Sequence, residues 1–379
     1  MRNRVIFFGI FFAVYGGISY FIGLQGWQWL GALGGGTALG PAAPWVYWLA
    51  LGLVAAAFPV ARLLARGWPL PLVSLLARVG AYWLLALLYG LPLLLLIEVA
   101  GLFVPAAVTV VATGGVLAVI AVAVVYGAWR AGRPVVVRHE VEIAKPGGRH
   151  PDLHIVLVSD THLGLINGPR QARQMVDMVN ALQPDLVLHG GDLIDDDIRP
   201  FLAHRMADEL QRLRAPLGTY VIMGNHDFGE AHPQQYRREL ERVGIKLLVD
   251  EWAVVDDSFY IIGRDDLSGK WRTGRPRLPL ADLMQGVDRS LPLILMDHQP
   301  SRLAEAEQAG IDLMVSGHTH RGQMFPNHLV TRRVFEVDWG YLKKGAMHVI
   351  VSLGFGTWGP PVRIGNSPEV VSIRVRFTG

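Results

Sequence analysis

Apolar and polar positions alternate on two different scales along this chain. Up to about residue 129 they form long apolar runs broken by short turns; beyond about 134 the apolar runs are short and punctuated by polar clusters. A bilayer core needs roughly 20 apolar residues in helix, because every backbone polar group must be satisfied within the segment. Four stretches meet that length, at about 5–24, 45–65, 79–100 and 107–129. Breaks containing Gly and Pro at 31–44, 67–71 and 101–105 separate them. Trp27, Trp29, Trp45, Trp68 and Trp129 lie near the ends, where amphipathic rings favour the interface. The pattern predicts an N-terminal four-helix transmembrane region over 1–130. The first stretch has the basic start of a signal peptide, but its apolar run is long and no A-x-A-like cleavage site follows it.

The second texture is globular. A linker and first strand occupy 131–149, with strand at 135–137 and 141–143 and a turn at Pro146-Gly147-Gly148. A short β-rich run at 153–158 reads as a buried strand. Helix and strand then alternate. Helical spacing covers 169–182, 201–213, 234–243 and 302–309; strands cover 186–188, 219–223, 246–249, 293–296 and 313–315. The strands at 253–255 and 259–262 flank a hairpin turn, Asp256-Asp257-Ser258, and the tail is β again at 347–353 and 370–377. This is an α/β pattern with antiparallel edges, one domain over 150–379.

Charge sharpens the division. Hydrophobic residues make up 51% of the 379 positions and charged ones 18%, below the roughly 25% usual for soluble domains. The region before 130 holds five basic residues (Arg2, Arg4, Arg62, Arg66, Arg78) and one acid, Glu98, which its place at the end of the third stretch makes interfacial. All thirteen histidines follow it. A wholly soluble protein is excluded, and so is one that is membrane throughout. The arginines flank apolar stretches, so the positive balance is no nucleic-acid signature, and no nucleic-acid partner is expected. Arg130, Arg133 and Arg138 follow the fourth stretch, while the loops after the first and third carry no Lys or Arg. By the positive-inside rule the N-terminus, the middle loop and everything after 129 face the cytoplasm, in a multi-pass inner-membrane protein. The absence of cysteine excludes disulfides, thiolate metal sites and Cys nucleophiles.

The candidate chemistry lies just past the strands. Ser159-Asp160-Thr161-His162 follows one, His189-Gly190-Gly191-Asp192 and Asp195 the next, then Gly224-Asn225-His226-Asp227, Asp297-His298 and Ser316-Gly317-His318-Thr319-His320. In open α/β sheets the crevice outside the carboxyl ends of the strands is where sites form, so five clusters spread along the chain can converge. Asp, Asn and His offer oxygen and nitrogen ligands that suit divalent Mn, Fe, Co, Zn or Ni, with too many imidazoles for a typical Ca or Mg site. The inventory exceeds one ion's needs. Two ions sharing a carboxylate would use it, in a site suited to in-line phosphoryl displacement. Each cluster alone reads equally as a turn or a capped loop; their order, each at a strand end, is what carries the inference.

Asp160-x-His162, Gly191-Asp192-x-x-Asp195, Gly224-Asn225-His226-Asp227, His298 and Gly317-His318-Thr319-His320 resemble the motif set of the calcineurin-like metallophosphoesterases. The run from Leu313 to Met324 and the later Gly356-Thr357-Trp358-Gly359-Pro360-Pro361 are similar to the YkuE-like membrane-associated branch, related to UDP-2,3-diacylglucosamine hydrolases. The resemblance covers about 150–379; Thr161 stands where relatives usually carry Leu. It implies a four-layer sandwich, written βαββ, with two divalent metal ions (Mn, Fe, Zn or Co) at the strand ends. Asp160, His162 and His320 would bind one ion, Asn225, His298 and His318 the other, with Asp192 bridging. A bridging hydroxide would attack phosphorus, and His226, held by Asp227, would stabilise the transition state or protonate the leaving oxygen. Asp195 would support the loop. The implied function is a membrane-anchored phosphoesterase acting on a phosphodiester or pyrophosphate bond, with the bilayer and a phosphorylated lipid or nucleotide-linked substrate as partners. A soluble substrate such as a cyclic nucleotide, and a non-catalytic scaffold, are the competing readings.

Other residues draw weaker expectations. Asp195-Asp196-Asp197 reads as a solvated loop or helix start rather than an extra ligand cluster. His189 is a buried strand-end residue or a site neighbour. Arg321 is a candidate phosphate contact or a surface arginine. Trp271, Trp339 and Trp358 pack the core or border a lipid-facing groove, and the basic run at 270–277 reads as a solvated loop.

Overall fold

The computed structural model describes residues 2–34, 40–65, 70–227, 233–270 and 274–379. Arg66, Trp68 and Trp271 lie outside the described residues, as do parts of the breaks at 31–44 and 67–71 and of the basic run at 270–277. The chain divides into two units, one of Met1–Ala128 with Gly359–Pro361 and one of Trp129–Trp358 with Val362–Gly379.

Four long helices account for the apolar part: Arg2–Ala32, Ala43–Leu64, Leu70–Gly101 and Ala106–Ala131. Each is long and apolar enough to cross a membrane. The third starts at Leu70, well before the expected 79, because the preceding run is apolar and Arg78 does not interrupt it. An arginine stem can lie along apolar surface with its head directed to water, so one such residue does not end a span. Contact between the second and third helices depends on Gly80, where a Cβ would collide with the Phe58 backbone. Small residues of this kind let helices approach closely where no hydrophobic force separates them from lipid. The few polar side chains find partners: Tyr47 Oη donates to Gly23 O at 2.6 Å, Tyr15 Oη to Ala55 O at 2.7 Å, and Trp83 Nε1 to Ser19 Oγ at 3.1 Å.

The second unit holds two six-stranded sheets. The first is ordered β1-β12-β2-β3-β4-β5. Its strands are β1 (Val135–Ile143), β2 (Asp152–Val158), β3 (Leu186–His189), β4 (Thr219–Ile222), β5 (Ile245–Leu248) and β12 (Glu369–Phe377). The second is ordered β10-β11-β9-β8-β7-β6. It comprises β6 (Glu251–Val255), β7 (Phe259–Gly263), β8 (Leu293–Met296), β9 (Leu313–Ser316), β10 (Gly340–Lys344) and β11 (Met347–Val351).

Side-chain alternation builds the layers. On β2, Ile155 and Leu157 enter the core between the sheets, where they meet residues such as Ile261, Ile294 and Val315. Val156 and Val158 point the other way, onto Met175, Val176 and Val179 of the helix Pro169–Ala181. The second sheet likewise turns Leu293, Leu295 and Met314 toward Leu283 and Leu303. Strands buried on both faces need apolar residues at every position, which is why these segments read as continuous runs. The four layers are therefore present, in the order helix, sheet, sheet, helix.

Three details differ from expectation. The helix predicted over 201–213 is two short ones, Ile198–Ala203 and Met206–Leu210, broken where Arg205 turns left-handed at φ 50. The edge strand β1 runs parallel to β12, and the antiparallel pair of that sheet, β12 with β2, is internal. The second sheet has antiparallel pairs at both edges. Helix His328–Val334 and strand β10 had no sequence signal. That helix buries no residue and leaves Leu329, Val330 and Val334 exposed, so its apolar positions mark no buried face, and β10 alternates exposed with half-buried positions at the sheet's edge.

Candidate metal centre

All five strand-end clusters converge. The loops after β2, β3 and β4 bring Asp160, His162, Asp192, Asn225 and His226 from the first sheet; those after β8 and β9 bring His298, His318 and His320 from the second. Backbone bonds hold the loops in register. Asp160 N donates to Gly191 O and His162 N to Asp192 O, both at 3.0 Å, and Gly317 N donates to His298 O at 3.0 Å. A second brace comes from further along the chain, where Phe355 N donates to Ser159 O at 2.8 Å and Gly356 N to Asp160 O at 2.7 Å.

Asp160, His162, Asp192, His318 and His320 all have left-handed backbone, with φ between 45 and 70. Non-glycine residues rarely adopt this region, and such strain gathers at functional sites. Gly317 makes room for it: a Cβ there would fall on the Ser159 hydroxyl and the Asp160 carboxylate.

Two groups of ligand-capable side chains with no member in common result, Asp160 with His162 and His320, and Asp192 with His298 and His318; a third joins His162 to Asp195 and His226. In the first, His162 Nε2 lies 3.1 Å from His320 Nε2, which lies 3.3 Å from Asp160 Oδ1. In the second, His298 Nε2 lies 3.2 Å from Asp192 Oδ2 and 3.1 Å from Asn225 Oδ1, and His318 Nδ1 lies 2.8 Å from that same amide oxygen. Asp192 Oδ2 also stands 3.7 Å from His162 Nε2, so one carboxylate borders both groups.

The donor set fits divalent cations. His298 Nδ1 is 2.8 Å from Gly190 O and must carry the proton, since a carbonyl only accepts. In neutral imidazole this leaves the Nε2 lone pair facing two further lone-pair oxygens, on Asp192 and Asn225. Such groups repel one another unless positive charge lies among them. Outer hydrogen bonds that fix the tautomer in this way are typical of metal-ligating histidines. Burial pushes His318 down to about 4 and His320 to about 3, so both are neutral near pH 7. Burial opposes ionisation of Asp160, but His320 and its neighbours hold the carboxyl well below the usual range. Burial opposes protonation of His298, but Asp192 and Asp160 hold its imidazole well above the usual range, so without a cation a proton supplies the positive charge that a bound ion would replace.

His226 has a different partner from the one expected. Its Nδ1 lies 3.0 Å from Asp196 Oδ1, with Asp195 Oδ1 at 3.8 Å. Asp227 does not hold it. That carboxylate is buried and accepts from Ile194 N at 3.0 Å and Gly224 N at 2.8 Å, bracing the loops of β3 and β4. The short side chain of Asp227 meets backbone N–H groups before it can reach the neighbouring ring. The acidic run divides its work: Asp195 borders His162 and His226, Asp196 pairs with His226, and Asp197 caps the helix Ile198–Ala203.

Residues 153–322 match the family model described as calcineurin-like phosphoesterase. Over 236 residues the chain is 31% identical to an uncharacterized metallophosphoesterase of Aquifex aeolicus (strain VF5), covering 60% of this chain and 87% of that one. The chain belongs to the calcineurin-like metallophosphoesterases. It is 32% identical over 268 residues to a transmembrane protein with metallophosphoesterase domain from Danio rerio, covering 68% of this chain and 61% of that relative's length. It is also 27% identical over 232 residues to the metallophosphoesterase YkuE of Bacillus subtilis (strain 168), covering 59% of this chain and 79% of that one.

The remaining expected residues of this metallophosphoesterase fall outside both ligand groups. His189 is buried, with Nε2 3.2 Å from Thr161 Oγ1, and burial lowers it to about 4. The Arg321 guanidinium lies 4.9 Å from the Trp339 ring centroid. Trp339 Nε1 donates to Glu369 Oε2 at 3.2 Å, whereas Trp358 is exposed. Sequence reasoning missed Arg363, which is fully buried beneath the site with Nη2 3.1 Å from His320 Nδ1 and from Gly354 O. No spacing marks it. Its one signal is a lone arginine in an otherwise uncharged, apolar stretch.

Proposed function

We propose that this chain is a membrane-anchored phosphoesterase that uses two divalent cations to hydrolyse a phosphodiester or pyrophosphate bond of a lipid or lipid-linked substrate. Asp160, His162 and His320 hold one cation, and Asn225, His298 and His318 the other, with Asp192 shared. The observation that carries this reading is the place of Asp192, one carboxylate bordering both groups. Such a cation pair supplies an activated water and neutralises charge on the phosphoryl oxygens.

The chain's own groups do the rest. Asn225 contributes oxygen without a negative charge, so the site gains a ligand and does not further repel an anionic substrate. His226 has its Nδ1 engaged by Asp196, which leaves Nε2 to donate a proton to the leaving oxygen or to hydrogen-bond the charged transition state. Gly190 O fixes the ring of His298. The lipid reading rests on the sequence: residues 132–134 alone separate the last apolar helix from β1, so the tether is short for a domain serving a distant soluble substrate. The loop charges support an inner-membrane protein whose catalytic unit faces the cytoplasm.

Full-length protein in detergent with added Mn²⁺ should hydrolyse bis-p-nitrophenyl phosphate, and Asp192→Ala with His226→Ala should abolish it. Full activity in that double variant would refute the site. For the substrate, turnover of a UDP-diacylglucosamine analogue should exceed that of a cyclic nucleotide; the reverse order would favour a soluble substrate.

A further inference from the structure

The four-helix unit gathers polar side chains into a cavity of its own. Gln25 is almost fully buried, and its Nε2 donates to Glu98 Oε1 at 2.6 Å. The pair opens on a cavity of about 300 Å³, whose lining also includes Gln28, Trp29, Thr109 and Thr113. Before residue 130 the chain has one acid, Glu98, and it lies here. Among the described residues no Lys or Arg lines the cavity, and the rest of its wall is apolar.

These features select a ligand class. A lone carboxylate with no basic neighbour repels anions and favours a cation. The Gln25 amide fixes one oxygen of Glu98, and among the described residues no partner takes the other. Glu98 is exposed, so its second oxygen is accessible to a ligand that enters from outside. The volume is far larger than a bare ion requires and reaches the lower end of the range for small-molecule sites. The Trp29 indole forms part of the wall, and indole rings attract organic ammonium groups. Thr109 Oγ1 donates to Ala106 O at 2.8 Å and so retains lone pairs for an N–H donor. The lining comes from the end of the first helix, the end of the third and the start of the fourth, beside the two loops without basic residues.

We propose that this cavity binds a primary or quaternary ammonium group, with Glu98 as the charge partner and Trp29 as the ring. The ammonium belongs either to a lipid headgroup or to a free amine. The site is separate from the metal centre and does not depend on its assignment.

The test uses full-length protein. In one arm, nanodiscs of equal phosphatidylethanolamine and phosphatidylglycerol are used, and retained lipid is counted by native mass spectrometry. In the other, ethanolamine and choline are titrated calorimetrically into the protein in a non-ionic detergent. At least one arm should show ammonium binding, with roughly tenfold enrichment in the lipid arm, lost in Glu98→Gln and weakened severalfold in Trp29→Ala. Enrichment of phosphatidylethanolamine alone identifies a lipid headgroup; amine binding alone identifies a free amine. Hydrolysis of bis-p-nitrophenyl phosphate should be unchanged in both variants, which shows that they fold. If Glu98→Gln does not fold, Trp29→Ala decides. Absence of binding in both arms, or binding unaffected in a folded variant, would overturn the proposal.

Discussion

His226 Nδ1 stands 3.0 Å from Asp196 Oδ1, and that contact sets both the orientation and the charge of the imidazole. Burial disfavours its protonation, but the hydrogen bond it donates to Asp196 and the charges of Asp192, Asp196 and Asp195 outweigh it and raise the ring to about 9. A group donating a proton to the leaving oxygen works while protonated, so activity should decline as pH rises past that value. Bound cations pull the limb to lower pH.

Replacing Asp196 with Asn removes the charge that favours imidazolium. The descending limb of the pH–rate profile should move toward acid, and kcat at pH 8 should fall by about tenfold, a usual loss for an outer hydrogen-bond partner. Asp227→Asn should behave differently. It weakens a buried acceptor of two backbone N–H groups, so the loss should appear in thermal stability, about 1–3 kcal/mol, with no displacement of the limb. A limb moved by Asp227→Asn and not by Asp196→Asn would reverse these roles.

Gly317→Ala tests the packing of the left-handed loops. The added methyl would fall on Ser159 and the Asp160 carboxylate. Bound cation and activity should drop by about a hundredfold or more, since a small misplacement of reacting groups is enough for such a loss. Gly168→Ala is the control. Its Cβ would meet nothing within 4 Å, and as the N-cap of the helix Pro169–Ala181 it should lose no more than about 1 kcal/mol of stability while bound cation and activity stay at the parent's level. Elemental analysis and thermal melting of both variants decide the matter.

Asp265 belongs to neither ligand group, and burial drives its carboxyl up to about 7, with Asp250 and Asp266 adding repulsion against the opposing bond from Asp266 N and the charge of Arg277. The folded value is above the unfolded one, about 3.9. The folded state therefore binds the proton more tightly, and stability is lost as pH rises from about 4 to about 7. Asp265→Asn should be the more stable protein at pH 8, by about 1–2 kcal/mol after allowing for solvent screening of a partly exposed group. Near pH 4 the difference should vanish. Equal melting temperatures at pH 8 would show that the carboxylate is compensated.

Much of this was legible because the chemistry is local to strand ends. Val156 to His162 reads as a buried strand followed by polar residues, and the same grammar repeats at Asp192, Asn225, His298 and His318. The convergence needed only parallel strands ending on the same side. Side-chain partners were less legible. Asp196 and Asp227 are both carboxylates within reach of His226 by sequence, and backbone geometry alone decides between them. Arg363 is set by packing beneath His320, which leaves no periodic trace. Arg205 ends a helix by turning left-handed in a run whose apolar spacing continues through it.

The shared place of Asp192 is tested most directly by counting divalent cations bound per folded chain, by elemental analysis of full-length protein supplied with Mn²⁺ and freed of excess. The account predicts two in the parent and fewer than one in folded Asp192→Ala. One ion or none in the parent, or two retained by the variant, would contradict it.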